Sequence, residues 1–227
     1  MTAALEVIRG RRPSVVSGLM LAGSVLTIVL SGCASNKAIR SNEAMTYDGL
    51  ETWSKDKKQQ VIASDRLPLP ANTTCRLGDC EAAGAAVAFK TSNPEAFERI
   101  CASLEKALDK QFEKRALKAA ASDSGSTADV VIHRRIVAVT KHNVALNVIT
   151  KIAAVPVSNG GLSLELEAAD ANGEQQIALM VWGRNGNALT QSFIIPSFDS
   201  VVDARKLARR AAKDFAELLR PLPKKQR

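Results

Sequence analysis

The sequence predicts an α+β fold: a two-layer sandwich whose mostly antiparallel sheet is covered on one face by two helices. Three observations carry this reading. Residues 93–120 and 200–220 repeat apolar side chains at the three- and four-residue spacing of an amphipathic helix. Leu162, Leu164, Leu166 and Ala168 alternate with Ser163, Glu165 and Glu167, the period of a strand with one buried face. Asn172-Gly173 then separates that strand from a second alternating run, Ile177, Leu179 and Val181, as a hairpin turn does. Hydrophobic residues at 46% and charged residues at 24% suffice for a core, but aromatics are only 4%, so Ala, Val, Leu and Ile must build it. No aromatic ligand cage is expected.

The elements follow in order along the chain. Arg9, Arg11 and Arg12 precede an apolar run from Val15 to Leu30, which ends in Leu30-Ser31-Gly32-Cys33. Charge, apolar core and small residues in that order make residues 1–32 a secretory signal. The run is shorter than the ~20 apolar residues of a membrane span, and Gly18 and Gly23 interrupt it. The four residues at its end resemble the lipobox of bacterial lipoproteins, in which the cysteine receives diacylglycerol and becomes the first residue. The resemblance implies lipidation of Cys33, and the lack of Asp after it implies the outer membrane, with the protein on the periplasmic face.

Residues 33–46 read as the lipidated cysteine and a polar tether of about 20 Å root-mean-square length. Residues 47–84, punctuated by Pro68, Pro70, Gly78 and Gly84, are expected to be irregular, with a short helix near Trp53 or a short strand near Val61. The α+β domain is expected over 85–220. Ala85 to Phe89 reads as a buried strand. Asn93-Pro94-Glu95 opens a helix, with Asn93 as cap, that is expected to reach about Ala120. Its stripe is Phe97, Ile100, Cys101, Leu104, Leu108 and Phe112, while Lys106, Lys110, Glu113 and Lys114 face water. The β-branched run from Val130 to Val139 predicts a long strand. Ser200 and Asp203 open the last helix, with Ala204, Leu207, Ala208, Ala211, Phe215 and Leu218 inward, and Pro221 and Pro223 close it before a basic tail over 221–227.

Tyr47-Asp48-Gly49-Leu50, the Pro156-Val157-Ser158-Asn159-Gly160-Gly161 stretch and the strand ending in Asp170-Ala171-Asn172-Gly173-Glu174 resemble an uncharacterised bacterial outer-membrane lipoprotein family, a lipobox signal followed by a domain of unknown function. The resemblance implies a lipoprotein with an α+β domain and names no activity.

Three cysteines besides Cys33 remain. Cys75 and Cys80 enclose Gly78 and are expected to form a small disulfide loop, since further ligands for a metal are missing. Cys101 is expected to be an inert core thiol. His133 and His142 lie in or just after a strand without a nucleophile motif nearby, so an exposed strand histidine is the plainer reading; a hydrolase or small-ligand binder using either is the alternative. No catalytic residue, metal or cofactor is expected.

Losing Arg9, Arg11, Arg12 and Glu6 with the signal lowers the formal charge from +8 to +6. Export argues against nucleic acid as the basic chain's partner. Arg205, Arg209, Arg210 and Lys213 on the last helix, with Lys224 and Lys225 in the tail, are the candidates for contact with an anionic surface. The function expected is that of a non-enzymatic module, held to the membrane through Cys33, that docks a periplasmic protein or a cell-wall polymer.

Overall fold

The computed structural model describes residues 38–53, 59–120, 128–140, 161–185 and 200–223. Within them the order is β1 (Glu51–Thr52), β2 (Gln59–Ala63), β3 (Thr74–Ala82), α1 (Ala86–Ser92), α2 (Pro94–Lys114), β4 (Lys118–Ala120), β5 (Val130–Thr140), β6 (Gly161–Asp170), β7 (Gln176–Asn185) and α3 (Ser200–Leu219). The strands form one seven-stranded open sheet in the order β1-β2-β7-β6-β5-β3-β4. Pairing is antiparallel except around β3, which runs parallel to both β4 and β5. A parallel pair needs a crossover connection, and α1 and α2 lie within the one between β3 and β5.

The predicted α+β layers are present. Phe97, Ile100, Leu104, Leu108 and Phe112 of α2 are buried, as are Ala204, Leu207, Ala208, Ala211 and Phe215 of α3. They share one core with Ile132, Ile136, Leu162, Leu164, Leu166, Met180 and Trp182 of the sheet. Asp214 of α3 accepts hydrogen bonds from Trp182 Nε1 at 3.0 Å and Gln59 Nε2 at 2.6 Å, so two buried donors are satisfied where the helix meets β7 and β2. The β6–β7 hairpin forms as expected. Its turn places Gly173 at φ +74°, and the Asp170 carboxylate accepts the backbone N–H groups of Glu174 and Gln175. Those bonds, that from Gln175 foremost, hold the Asp170 carboxyl below the ordinary Asp range.

Several expectations are corrected. Ala85 to Phe89 is the start of helix α1, not a strand; a five-residue apolar run does not distinguish the two. The segment expected to be irregular holds β2 where a short strand near Val61 was expected, but it also contributes β1 and the nine-residue β3. Pairing with β7 and β5 supplies there the order that the local pattern lacks. Asn93 flanks α2 but its side chain makes no cap bond; it reaches back to the Phe89 carbonyl at 3.5 Å.

Helix α2 stops at Lys114, short of Ala120. Ala116 takes a left-handed φ of 54°, Leu117 N–H donates to Phe112 O at 3.0 Å, and Ala116 N–H donates to Glu113 O at 3.1 Å. That is a Schellman end, with buried Leu117 against Phe112, built without the glycine that usually announces it.

Candidate functional site

The cysteines show first where local spacing misleads. Cys75 and Cys80 both lie on β3, where an extended chain holds residues five apart at roughly 16 Å. No disulfide joins them. Cys80 is bonded instead to Cys101 of α2, with a Cα–Cα distance of 5.9 Å, while Cys75 is a buried free thiol. The expectation of a Cys75–Cys80 loop and of an inert Cys101 is therefore wrong. Gly78 is not a turn but part of a register shift in β3, and a Cβ there would lie 3.3 Å from Ile132 O. The Gly78 carbonyl, out of the ladder, accepts from Arg134 Nε at 2.9 Å and Nη2 at 2.6 Å. Nη1 of the same guanidinium reaches Glu105 of α2 at 3.0 Å.

The sheet face away from the helices is buried too, which the alternation of β6 did not suggest. Ser163, Glu165 and Glu167 on that face all have 0% exposure. A strap formed by residues 39–47 lies against them. Ile39 N–H donates to Ser163 Oγ at 3.1 Å, and Ser41 N–H to Glu165 Oε1 at 2.7 Å. The Ser41 hydroxyl bonds Glu165 Oε2, and the Tyr47 hydroxyl bonds both Glu165 oxygens at 3.0 and 3.1 Å. Glu167 accepts from Met45 N–H at 2.9 Å, Gln176 Nε2 at 2.6 Å and Arg135 Nη1 at 2.8 Å. These residues are thus part of the folded domain, not a free tether. Both carboxylates are saturated by donors, so in this arrangement they hold the strap and present no free acid or base.

The exposed recess lies on the opposite side of the molecule's core, between α2 and α3. Ser103 of α2 accepts from Arg205 Nε of α3 at 2.8 Å, and Arg115 Nη2 bonds Glu217 Oε2 at 2.6 Å. Ser103 to Arg115 and Arg205 to Glu217 are each twelve residues in the same direction, so the two helices run parallel. Between these ties is a groove of about 470 Å3 lined by Lys106, Lys110 and Lys114 of α2 and Arg205 and Arg209 of α3. Gln111, also in its lining, is held by Arg115 Nη1 at 2.7 Å. Among the described residues no carboxylate lines it.

Of the predicted surface cations, Arg205 and Arg209 enter this groove, while Arg210 and Lys213 are exposed elsewhere on α3. Lys224, Lys225, Cys33 and His142 lie outside the described residues. His133 is half-buried on β5, opposite Glu167 in the strand register, with no hydrogen bond among the described residues. The three lysines of α2 escaped the sequence reading because only their four-residue spacing signals a shared face, and a solvated helix face has the same spacing. Among the described residues no group of three or more His, Cys, Asp or Glu is placed to hold a metal ion, and no helix is long and apolar enough to cross a membrane.

A family model described as "Protein of unknown function (DUF3313)" matches residues 83–215. The chain belongs to that family. The DUF3313 match thus takes in α1, α2, β4 to β7 and most of α3, including all five groove cations. Among solved structures, the chain is similar to a PelC dodecamer from Paraburkholderia phytofirmans at 9% identity and a TM-score of 0.44, covering 68% of this chain and 96% of that one. A point-substituted PelC dodecamer of the same organism gives 10% identity and a TM-score of 0.43, covering 72% and 98%. No curated protein matches the chain.

Proposed function

We propose that this chain is a lipid-anchored periplasmic lipoprotein of the outer membrane that acts as a non-enzymatic binding module. The observation that carries the binding reading is the cation-lined groove between α2 and α3: a formed recess, open to solvent, with no carboxylate among its described lining residues and its one hydroxyl, that of Ser103, taken up by Arg205 Nε. Two further features support the address. The apolar run ending in Leu30-Ser31-Gly32-Cys33 has the order of a lipoprotein signal. A disulfide between Cys80 and Cys101 suits an oxidising compartment. The docked strap leaves only six peptide steps between Cys33 and Ile39, a reach of about 20 Å when fully extended.

The Cys33→Ser variant tests the anchor, because serine cannot form the thioether to diacylglycerol. Expected are loss of labelled fatty acid from the protein, accumulation of the uncleaved precursor and loss of partitioning into the detergent phase. Normal cleavage with continued detergent partitioning removes the lipoprotein reading.

A further inference from the structure

The geometry points to the α2–α3 groove as a binding site for an extended polyanion, a chain carrying repeated phosphate or carboxylate groups. The proposal deepens the binding reading above and rests on it, but its test does not depend on lipidation. Among the described cations of these helices, Arg99 pairs with Glu95, Arg115 with Glu217 and Lys206 with Asp203, while Arg210 and Lys213 stand apart on the exposed face of α3. Glu105, the nearest acid to Lys106 along α2, is turned to the buried Arg134. Lys106, Lys110, Lys114, Arg205 and Arg209 are left facing one recess, and none is in an ion pair among the described residues. Such a cluster is self-repelling, since neighbouring charges sit within the ~10 Å Debye length of 0.1 M salt. A bound anion relieves that repulsion.

The spacing selects the kind of anion. Lys106, Lys110 and Lys114 follow one another at four-residue intervals, so they rise about 6 Å at each step and about 12 Å in all along the helix axis. Arg205 and Arg209 make a shorter ladder with the same step on the facing helix. Because the helices are parallel and tied at both Ser103–Arg205 and Arg115–Glu217, the two ladders keep their register. The Arg205 guanidinium is aimed by its bond to Ser103 through Nε, which leaves both terminal nitrogens for a ligand. A single compact anion is best held by donors converging on one point. Two rails of cations suit a chain that lies along the groove. A planar array of lipid headgroups touches the rim of a recess but not its floor, so a membrane surface fits less well.

The test uses the full chain in neutral detergent and measures binding of long-chain inorganic polyphosphate and of polygalacturonate, with orthophosphate and phosphatidylglycerol vesicles as comparisons. Two double variants remove equal charge: Lys110→Gln with Arg209→Gln in the groove, and Arg210→Gln with Lys213→Gln outside it. At least one polymer is expected to bind, with a log–log salt slope near −3.5 if all five cations are neutralised at roughly −0.7 each. The groove pair should weaken binding about tenfold and flatten the slope by about 1.4, and the outer pair should leave both nearly unchanged. Binding of only one polymer tells phosphate from carboxylate chains. Equal weakening by both pairs, orthophosphate competing as well as polymer per anionic group, vesicle binding without polymer binding, or no polymer binding each overturn the proposal.

Discussion

Burial decides the behaviour of Cys75. Its thiol has 0% exposure, and desolvation, with Asp129 adding to it, pushes its pKa up to about 12. The thiolate is the reactive species, so the native protein at pH 8 should resist iodoacetamide at this position and react only on unfolding. The same shift sets a pH effect. The folded state holds the proton above pH 9.0, where the unfolded thiol releases it, so stability contributed at this site is complete below about 9 and is lost as pH rises towards about 12. A Cys75→Ala variant should lose that part of the alkaline decline. Rapid labelling of Cys75 in the folded protein at pH 8, located by peptide mass mapping, contradicts this account. The identity of the residues says cysteine, but only the third dimension says which cysteine has a partner. Five residues of spacing suggest a loop, whereas β3 stretches them apart and α2 brings Cys101 to Cys80.

Individual elements differ in how far their patterns could be read, and the physical reason is where the stabilising contacts come from. The stripes of α2 and α3 and the alternation of β6 are local periodicities, so they show in the sequence with nearly the right bounds, whereas β7 is buried on both faces: Leu179 and Val181 lie opposite Glu167 and Glu165, and Met180 and Trp182 enter the core. β2 and β3 owe their order to partners more than 50 residues away, β7 and β5, and carry little period of their own. The end of α2 was hidden because Ala116, a strong helix former, occupies a left-handed position that favours glycine. The strap was hidden for a related reason: three of its ties to β6 come from the backbone N–H groups of Ile39, Ser41 and Met45, which every sequence has. Its stability should depend on Tyr47, whose hydroxyl bonds both Glu165 oxygens while Asn42 N–H donates to it at 2.9 Å. Tyr47→Phe leaves a fully buried carboxylate short of a donor, a loss on the order of 1–3 kcal/mol. Trypsin should then cut after Arg40 faster than in the parent. Unchanged cleavage and an unchanged melting temperature together show that the strap does not depend on this hydroxyl.

For the molecule as a whole, the question is what keeps the helix layer on an open sheet. The core does most of it, through Phe112, Leu108, Leu104 and Phe215 against the leucines of β6. At the β3 side the sheet is thin, with only the three-residue β4 beyond it, and there a covalent tie joins the layers. The Cys80–Cys101 bond spans 21 residues that include all of α1, and the α2 end of that loop carries the helix whose lysines form one wall of the groove. Closing a loop of that size in the unfolded chain lowers its entropy by about 3 kcal/mol at room temperature. Cys101→Ala should therefore lower the unfolding free energy by about that amount, and Cys80→Ala by a similar amount, with reduction of the parent by a thiol giving the same loss. The two substitutions combined should cost little more than either alone, since each removes the same bond. If the groove needs this tie to keep its register, polyanion binding by the reduced parent falls as well. Chemical denaturation of the parent with and without reductant, beside both single variants, reads the effect directly. Equal midpoints in all four samples mean that the core alone fixes the layers and the disulfide adds nothing to their stability.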